Sequence, residues 1–127
     1  MAALPSDLRA VMKSVTKYTD NTGNGSNSSG NVTATTDYLW LLAEFEVHGS
    51  RNYANQYEQN SQAQYAYYKA GNSKIAYNHT AVSTAVWWWL RSPYCSGHSN
   101  FCNVSTGGGG NIDYASYSAA LLPGFAT

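Results

Sequence analysis

Three consecutive tryptophans constrain the fold of this 127-residue chain more than any other feature. They stand in the apolar run Ala85 to Leu90. Because side chains alternate between the two faces of a strand, Trp88 is expected on one face and Trp87 and Trp89 on the other. A ring of this size buries roughly 150–250 Å². The run therefore predicts a core strand, and we favour a structural role for the tryptophans over a sugar-stacking platform.

Two helical patterns and a polar loop are found in the first 71 residues. Apolar residues recur at helical spacing behind Ser6, which predicts an amphipathic helix over about residues 6–14. A capping pattern predicts a second helix from Ser61 to about Ala70, with Gly71 free to take a positive φ after it. Residues 21–31 contain no apolar side chain. They are predicted to form an exposed loop.

A second apolar run, Tyr38 to Ala43, predicts another core element. It passes into the alternating residues 44–47, which end at Gly49. Alternation is typical of a half-buried strand, so Glu44 and Glu46 are expected on its solvent side.

Strand patterns dominate the last quarter of the chain. Residues 101–104 and 112–117 flank Gly107 to Gly110, which predicts two short strands joined by a tight glycine turn. Residues 121–125 are also strand-like. Helices early, strands late and long loops between them predict a single α+β domain over residues 1–127.

The charge balance and composition favour a binding protein. Seven basic and seven acidic residues give a net charge of zero, and only 11% of residues are charged. Nucleic-acid binding and anionic-membrane binding both need clustered Lys and Arg, so neither is expected. The apolar runs are too short to span a bilayer, which argues against membrane insertion. The 11 tyrosines, among many Ser, Gly and Asn residues, resemble the composition of antibody paratopes.

Motifs for catalysis, cofactors and metals are missing from the sequence. His48, His79 and His98 are scattered, and there is no nucleophile motif or phosphate-binding loop. Cys95 and Cys102 lack the spacing of a metal site. The sequence allows a disulfide between them, but it favours a buried free thiol in a strand for Cys102. We therefore expect no enzyme activity, no cofactor and no metal.

Residues 94–120 differ in composition from the rest of the chain. They contain no Lys, Arg, Glu, Gln, Met, Trp, Leu or Pro. Taken alone, such a stretch predicts a low-complexity surface loop.

The motifs around this segment point to a known family. They are Trp88-Trp89-Leu90-Arg91-Ser92-Pro93, Phe101-x-x-Val104, a glycine turn, Leu121-x-Pro123-Gly124-Phe125, and the upstream stretches 4–9 and 37–44. In this order they resemble the C-type-lectin-fold variable proteins of diversity-generating retroelements, of the type in gut Firmicutes and their phages. The resemblance implies a formylglycine-generating-enzyme-like variant of the C-type lectin fold, with a small twisted antiparallel sheet, two short helices and long loops.

The resemblance also implies a rule for residues 94–120. In that family an error-prone reverse transcriptase substitutes adenines, chiefly the first two bases of Asn codons. Such changes never produce Lys, Glu, Gln, Met or Trp. All five types occur upstream of residue 94 and none occurs within 94–120. The composition of the segment therefore agrees with the rule.

The resemblance assigns roles residue by residue. The implied scaffold residues are Trp88, Arg91, Ser92, Pro93, Phe101, Val104, Pro123 and Phe125. The implied ligand-binding positions are Tyr94, Cys95, Ser96, His98, Asn100, Asn103, Ser105, Asn111, Ile112, Asp113, Tyr114 and Tyr117. Gly97, Ser99 and 107–110 are further implied diversified positions. Residues 120–122 and 126–127 depart from the commoner family ending, which leaves the end of the diversified segment open.

The implied function is that of a receptor with a changing binding surface. Its partner is expected to be a cell-surface or phage-related protein, and its location the cell surface or a virion, although Met1 to Pro5 lacks the features of a signal peptide. The alternatives are a calcium-dependent lectin and a formylglycine-generating-type enzyme. Since diversified positions must tolerate small and large side chains, we expect a group of them to be exposed on one face. These are Tyr94, His98, Asn100, Asn111, Asp113, Tyr114 and Tyr117.

Overall fold

Within residues 3–127, which the computed structural model describes, three short α-helices and three small antiparallel sheets form an α+β domain. This confirms the predicted α+β class. The helices are α1 (Ser6–Val11), α2 (Glu44–His48) and α3 (Ala66–Lys69). The strands are β1 (Val15–Asp20), β2 (Val32–Asp37), β3 (Ala76–Tyr77), β4 (Ala85–Val86), β5 (Trp88–Pro93), β6 (Asn100–Val104) and β7 (Gly110–Tyr114). Short 3₁₀ turns cover Ser29–Asn31 and Gln56–Ser61.

The largest sheet has the order β5-β6-β7, and its strands β6 and β7 lie within residues 94–120. Strands β6 and β7 form the predicted hairpin, and Gly108 in its turn has a φ of +87°. Strand β7 ends at Tyr114, three residues before the predicted end. The free side of β5 is covered, because the N–H of Trp89 donates to the carbonyl of Ala120 and that of Arg91 donates to Leu42.

The tryptophans divide between core and surface as predicted, but the run 85–90 is not the single core strand that its apolar pattern suggested. Strand β4 ends at Val86, β5 begins at Trp88 in another sheet, and Trp87 lies between them. Trp88 is 1% exposed and lies in the core with Leu90 and Val104. Trp87 and Trp89 are half-buried, and their rings meet edge to face with centroids 5.0 Å apart. We call the Trp88 side of the β5-β6-β7 sheet its core face and the opposite side its outer face.

Both predicted helices are shorter than the sequence pattern indicated. Helix α1 ends at Val11 because the chain extends to pair with the C-terminal segment, where the N–H of Lys13 donates to the carbonyl of Ala126. Residues 61–70 yield only the single turn α3, since the side chain of Gln64 binds the carbonyl of Val47 instead of capping a helix. Gly71 has a φ of +88°, as predicted.

The expectation of a strand at residues 44–47 is wrong. These residues form α2, and Glu44 and Glu46 are 1% and 3% exposed rather than on a solvent face. The carboxylate of Glu46 accepts a hydrogen bond from the N–H of Ala43 at the helix start, and Gly49 ends the helix with a φ of +67°. The preceding apolar run forms no strand, although Leu42 and Ala43 are buried as a core element requires.

Candidate functional site

A buried charged cluster supports the central part of β5. The Arg91 guanidinium donates to both carboxylate oxygens of Glu46, to the carbonyl of Leu41 and to the hydroxyl of Thr19. Lys17 forms a second ion pair with Glu46, with 2.9 Å between Nζ and Oε2. Burial opposes ionisation of Glu46, but the hydrogen bonds and charge of Arg91, with help from Lys17, outweigh it and lower the pKa of its carboxyl. This cluster therefore ties β1, α2 and β5 together.

A second buried chain of hydrogen bonds runs through Ser92. Its hydroxyl donates to Oε2 of Glu58 at 2.7 Å and accepts from the N–H of Glu44 at 3.1 Å. Glu58 also accepts from the N–H of Asp20, and burial raises the pKa of its carboxyl. Glu44 accepts hydrogen bonds from successive backbone N–H groups at residues 52–54. The carboxylates thus hold loops in place beneath the sheet.

Four predicted ligand-binding residues meet in a cleft on the outer face of the β5-β6-β7 sheet. We call it the outer cleft, and its volume is about 290 Å³. Its lining residues are Trp87, Asn103, Ser105, Thr106, Asn111 and Asp113. Asn103 donates to Oδ2 of Asp113 at 2.8 Å, while Trp89, Asn103 and Asn111 are paired side by side across the three strands.

Asn103 departs from the expectation that diversified positions are exposed. Its side chain is 1% exposed, because it lies in the central strand between Trp89 and Asn111 and is bonded to Asp113. Ser105, Asn111 and Asp113 are exposed or half-buried, as the expectation required.

A larger, mainly apolar groove of about 750 Å³ adjoins the outer cleft. Trp87 and Thr106 line both spaces. The rest of the groove is formed by β4, residues 77–79 and residues 118–122. The structural role predicted for Trp87 does not indicate its position between the groove and the cleft.

The predicted tyrosine surface lies elsewhere. Tyr114 and Tyr117 are 53% and 51% exposed, and their rings meet edge to face at 5.5 Å. Tyr114 is paired with Asn100 on the core-face side, beyond the end of the core, whereas Asp113 belongs to the outer face. The predicted positions therefore occupy two surfaces rather than one.

Residues 94–98 approach the end of the sheet beside Tyr114 and Tyr117, which we call the tyrosine end. Tyr94 is half-buried against Tyr53, with ring centroids 6.1 Å apart, and its N–H donates to the carbonyl of Asn100. Ser96 and His98 are exposed, as expected. A Cβ at Gly25 would lie 3.3 Å from the His98 ring, which places the predicted exposed loop 21–31 beside this segment.

Cys95 is buried, so its expected place on the binding surface is wrong. Arg51 donates a hydrogen bond to its Sγ at 3.1 Å, and this contact holds the thiol inside. Cys102 is fully buried in β6, as predicted, and burial raises its pKa well above the usual value. Both thiols are free.

The implied scaffold residues divide between core and surface. Trp88, Ser92, Pro93 and Val104 are buried. Phe101, Pro123 and Phe125 are exposed, so burial in the core does not account for their implied scaffold role. Phe101 stands on the outer face because Cys102 and Val104, its alternating neighbours in β6, take the core face.

Comparison with known proteins gives the family but no activity. A family model described as a domain of unknown function, DUF6273, matches residues 1–125. The chain belongs to the DUF6273 family. No curated protein and no solved structure matches the chain. The DUF6273 match includes every strand and helix named above, so the outer cleft and the tyrosine end lie within one family unit.

The described part of the DUF6273 domain contains neither a membrane-spanning helix nor a cluster of metal-ligating side chains. From residue 3 to residue 127, no helix is long and apolar enough to cross a membrane. Over the same residues, no three His, Cys, Asp or Glu side chains gather as metal ligands would.

The buried imidazole of His48, at the turn end of the β6–β7 hairpin, predicts a pH dependence of stability. Its buried Nε2 has no hydrogen-bond partner among the described residues, and it lies 3.4 Å from the place of a Cβ at Gly110. Burial lowers the pKa of the imidazole, and Lys74 adds to the lowering while Glu44 opposes it. The unfolded chain, with a pKa of about 6.5, therefore takes up this proton first as the pH falls. We therefore expect the urea concentration at the unfolding midpoint to decrease as the pH is lowered from about 7.5 to about 5.5.

His48→Gln should remove most of this pH dependence, because it cannot titrate. The matched control is His79→Gln, since His79 is exposed. An unchanged slope in the His48 variant, or an equal loss of slope in the His79 variant, would contradict the assignment.

Proposed function

We propose that this chain is a ligand-binding receptor module with a C-type lectin fold, diversified by adenine-directed mutagenesis over residues 94–120. Its partner is a cell-surface or phage-related macromolecule, in keeping with display on a cell surface or a virion. No cofactor or catalytic step takes part in this function. The proposal is favoured over a formylglycine-generating-type enzyme because the burial that raises the pKa of the Cys102 thiol disfavours the reactive thiolate.

One observation supports the proposal above the others. Residues 94–120 contain only amino acids that the adenine rule permits, and nearly all of them lie at the surface. Apart from Cys95 and residues 102–104, each side chain of the segment is exposed or half-buried. Side chains at such positions can change without altering a close-packed core.

The support beneath the segment also fits this function. The strand that holds the hairpin, β5, precedes the segment and is tied down by Arg91 and Ser92. The partners of these two residues, such as Glu46 and Glu58, also lie outside residues 94–120. Mutagenesis confined to the segment would leave these ties intact.

Sequencing the DNA that flanks the coding region tests the proposal. We expect a second, near-identical copy of the stretch encoding residues 94–120, with differences confined to adenine positions of that copy, and a reverse-transcriptase gene beside it. A complete genome sequence without such a copy, or a copy whose differences fall on all four bases, would overturn the proposal.

The exposed tyrosines should be dispensable for folding. We expect the double variant Tyr114→Ser/Tyr117→Ser to keep its melting temperature within a few degrees of the parent, because surface changes usually alter stability by about 0.5 kcal/mol or less. Tyr94 is left out of the variant because its ring packs on Tyr53. Thermal unfolding followed by circular dichroism gives the answer.

The matched control for this pair is Val104→Ser, since Val104 is fully buried in the same sheet. It should melt well below the parent. If the double variant melts as low as the Val104 variant, the tyrosines belong to the folded core and cannot be freely diversified.

A further inference from the structure

The outer cleft combines an aromatic wall with a polar floor. Trp87 forms the wall, and its edge-to-face contact with Trp89 at 5.0 Å fixes its position. Asn103, Asn111 and Asp113 form the floor on adjacent strands β6 and β7. Trp87 lies outside residues 94–120, whereas the floor lies inside them. The cleft therefore joins a fixed ring to variable polar groups.

The floor presents both donors and acceptors that the chain leaves unused. Asn103 Nδ2 and Asp113 Oδ2 are bonded to each other, and Asn111 Oδ1 accepts from the N–H of Ile112. Asn103 is 1% exposed, so its part in the floor is to hold Asp113 in place. Among residues 3–127, no hydrogen bond reaches Asp113 Oδ1 or Asn111 Nδ2. An acceptor and an amide donor thus remain, and the Thr106 hydroxyl can act as either.

The charge of the cleft excludes anionic ligands. Asp113 is its single charged lining residue among those described, and no Lys or Arg lines it. A phosphate or carboxylate would meet this carboxylate with no cation to offset the repulsion. A neutral ligand whose hydroxyls both donate and accept matches the floor better.

We propose that the outer cleft binds a neutral pyranose unit of a glycan, without calcium, with an apolar ring face against Trp87 and hydroxyls on the Asn103–Asn111–Asp113 floor. This inference rests on the proposed function in one respect, namely that residues 94–120 contact ligand. It specifies the chemical group that the macromolecular partner presents to this cleft.

Two other ligand chemistries fit the cleft less well. A quaternary ammonium group could sit between Trp87 and Asp113, but it would leave the amides and hydroxyls unpaired on burial, which costs free energy. A peptide strand could add to the open edge of β7, but its backbone would not engage Trp87. Both serve as competing outcomes of the test.

The test is a titration of the purified protein, in EDTA, with methyl pyranosides of glucose, galactose, mannose and N-acetylglucosamine. Choline, a β-strand-forming peptide and a neutral polysaccharide are further arms. Binding is followed by tryptophan fluorescence and by the indole N–H signals in NMR spectra. We expect saturable binding of at least one pyranoside, with the Trp87 indole signal shifted. Binding of both a methyl pyranoside and the polysaccharide would show that the cleft accepts a sugar unit within a chain as well as a single unit.

Variants locate the binding to the cleft. Trp87→Ala and Asn111→Ala should each weaken binding about tenfold or more, the equivalent of about 1.4 kcal/mol. Tyr67→Ala is the control, because Tyr67 is exposed on α3 and lines neither the cleft nor the groove. Urea unfolding of each variant shows that a lost signal does not come from a lost fold.

Several results would overturn the inference. They are the absence of binding by every pyranoside and the polysaccharide in a folded protein, unaltered binding in the Trp87 and Asn111 variants, binding that appears only when calcium replaces EDTA, and binding of choline or peptide alone. The proposed function is decided separately, by the DNA copy beside the gene. A diversified chain that binds no pyranoside overturns only this inference, and a pyranoside-binding chain without that copy overturns only the diversification.

Discussion

Replacing Trp88 with alanine should lower the free energy of unfolding by about 4 kcal/mol, the usual cost of removing a large buried aromatic ring. Trp88 is 1% exposed and packs with Leu90 and Val104. Its indole N–H also donates to the carbonyl of Lys74 at 3.0 Å. Alanine would leave both a cavity and a carbonyl without its partner. Urea unfolding at neutral pH measures the loss.

Trp87→Ala is the matched control for this change. It removes the same type of side chain at the neighbouring position, and Trp87 is only half-buried. Its loss should be clearly smaller. If Trp88→Ala does not fold, Trp88→Phe keeps the packing in part and should still cost more than Trp87→Phe. Equal losses of unfolding free energy at the two positions would show that Trp88 stabilises the core no more than the half-buried Trp87 does.

The alternation that supports this prediction could be seen in the sequence. Three adjacent tryptophans in an extended segment must divide between its two faces. The four glycines 107–110 likewise indicated the hairpin, because a tight turn needs a residue that tolerates positive φ, as Gly108 has. These signals are local, so a single sequence reveals them. The break at Trp87, which separates β4 from β5, was not visible in the continuous apolar run.

Residues 44–47 show where local signals fail. The order Glu-Phe-Glu-Val suits a strand, yet both carboxylates are buried because distant groups satisfy them. Glu46 forms an ion pair with Arg91, which lies 45 residues away in sequence, and Glu44 accepts hydrogen bonds from backbone N–H groups near residue 53. A one-turn helix such as α2 depends on such tertiary contacts rather than on propensity. No pattern within the segment predicts them.

Five of the six residues that line the outer cleft lie within 94–120, but the composition of that segment does not indicate which face each one occupies. A strand alternates its side chains between two faces, so neighbours such as Asp113 and Tyr114 separate onto two surfaces. The same reasoning applies to Phe101 and Val104, whose spacing of three in one strand prevents both from facing the core. That signal was present in the sequence. The burial of Cys95 was not, because it depends on Arg51, 44 residues earlier.

Replacing Arg91 with alanine should lower the free energy of unfolding by about 3 kcal/mol at neutral pH. The change would leave the buried Glu46 carboxylate with Lys17 as its remaining ion pair. It would also remove the donors to Leu41 and Thr19. Arg91→Lys keeps the charge but not the planar fork, so it should restore only part of the loss. Arg9→Ala is the control, because Arg9 is exposed on α1 and should be nearly neutral.

The pH dependence of that loss separates an ion pair from simple packing. Glu46 has a lowered pKa in the folded protein, so its ionised form contributes stability above the unfolded value of about 4.5, and this contribution disappears as the pH falls through the folded value. The parent loses this contribution in acid, whereas the Arg91→Ala variant has little of it to lose. The difference between their urea midpoints should therefore shrink from about pH 7 to about pH 3. A difference that stays constant would mean that Arg91 acts through its packed side chain and its bonds to carbonyls, and equal midpoints at neutral pH would remove it from the structural core altogether.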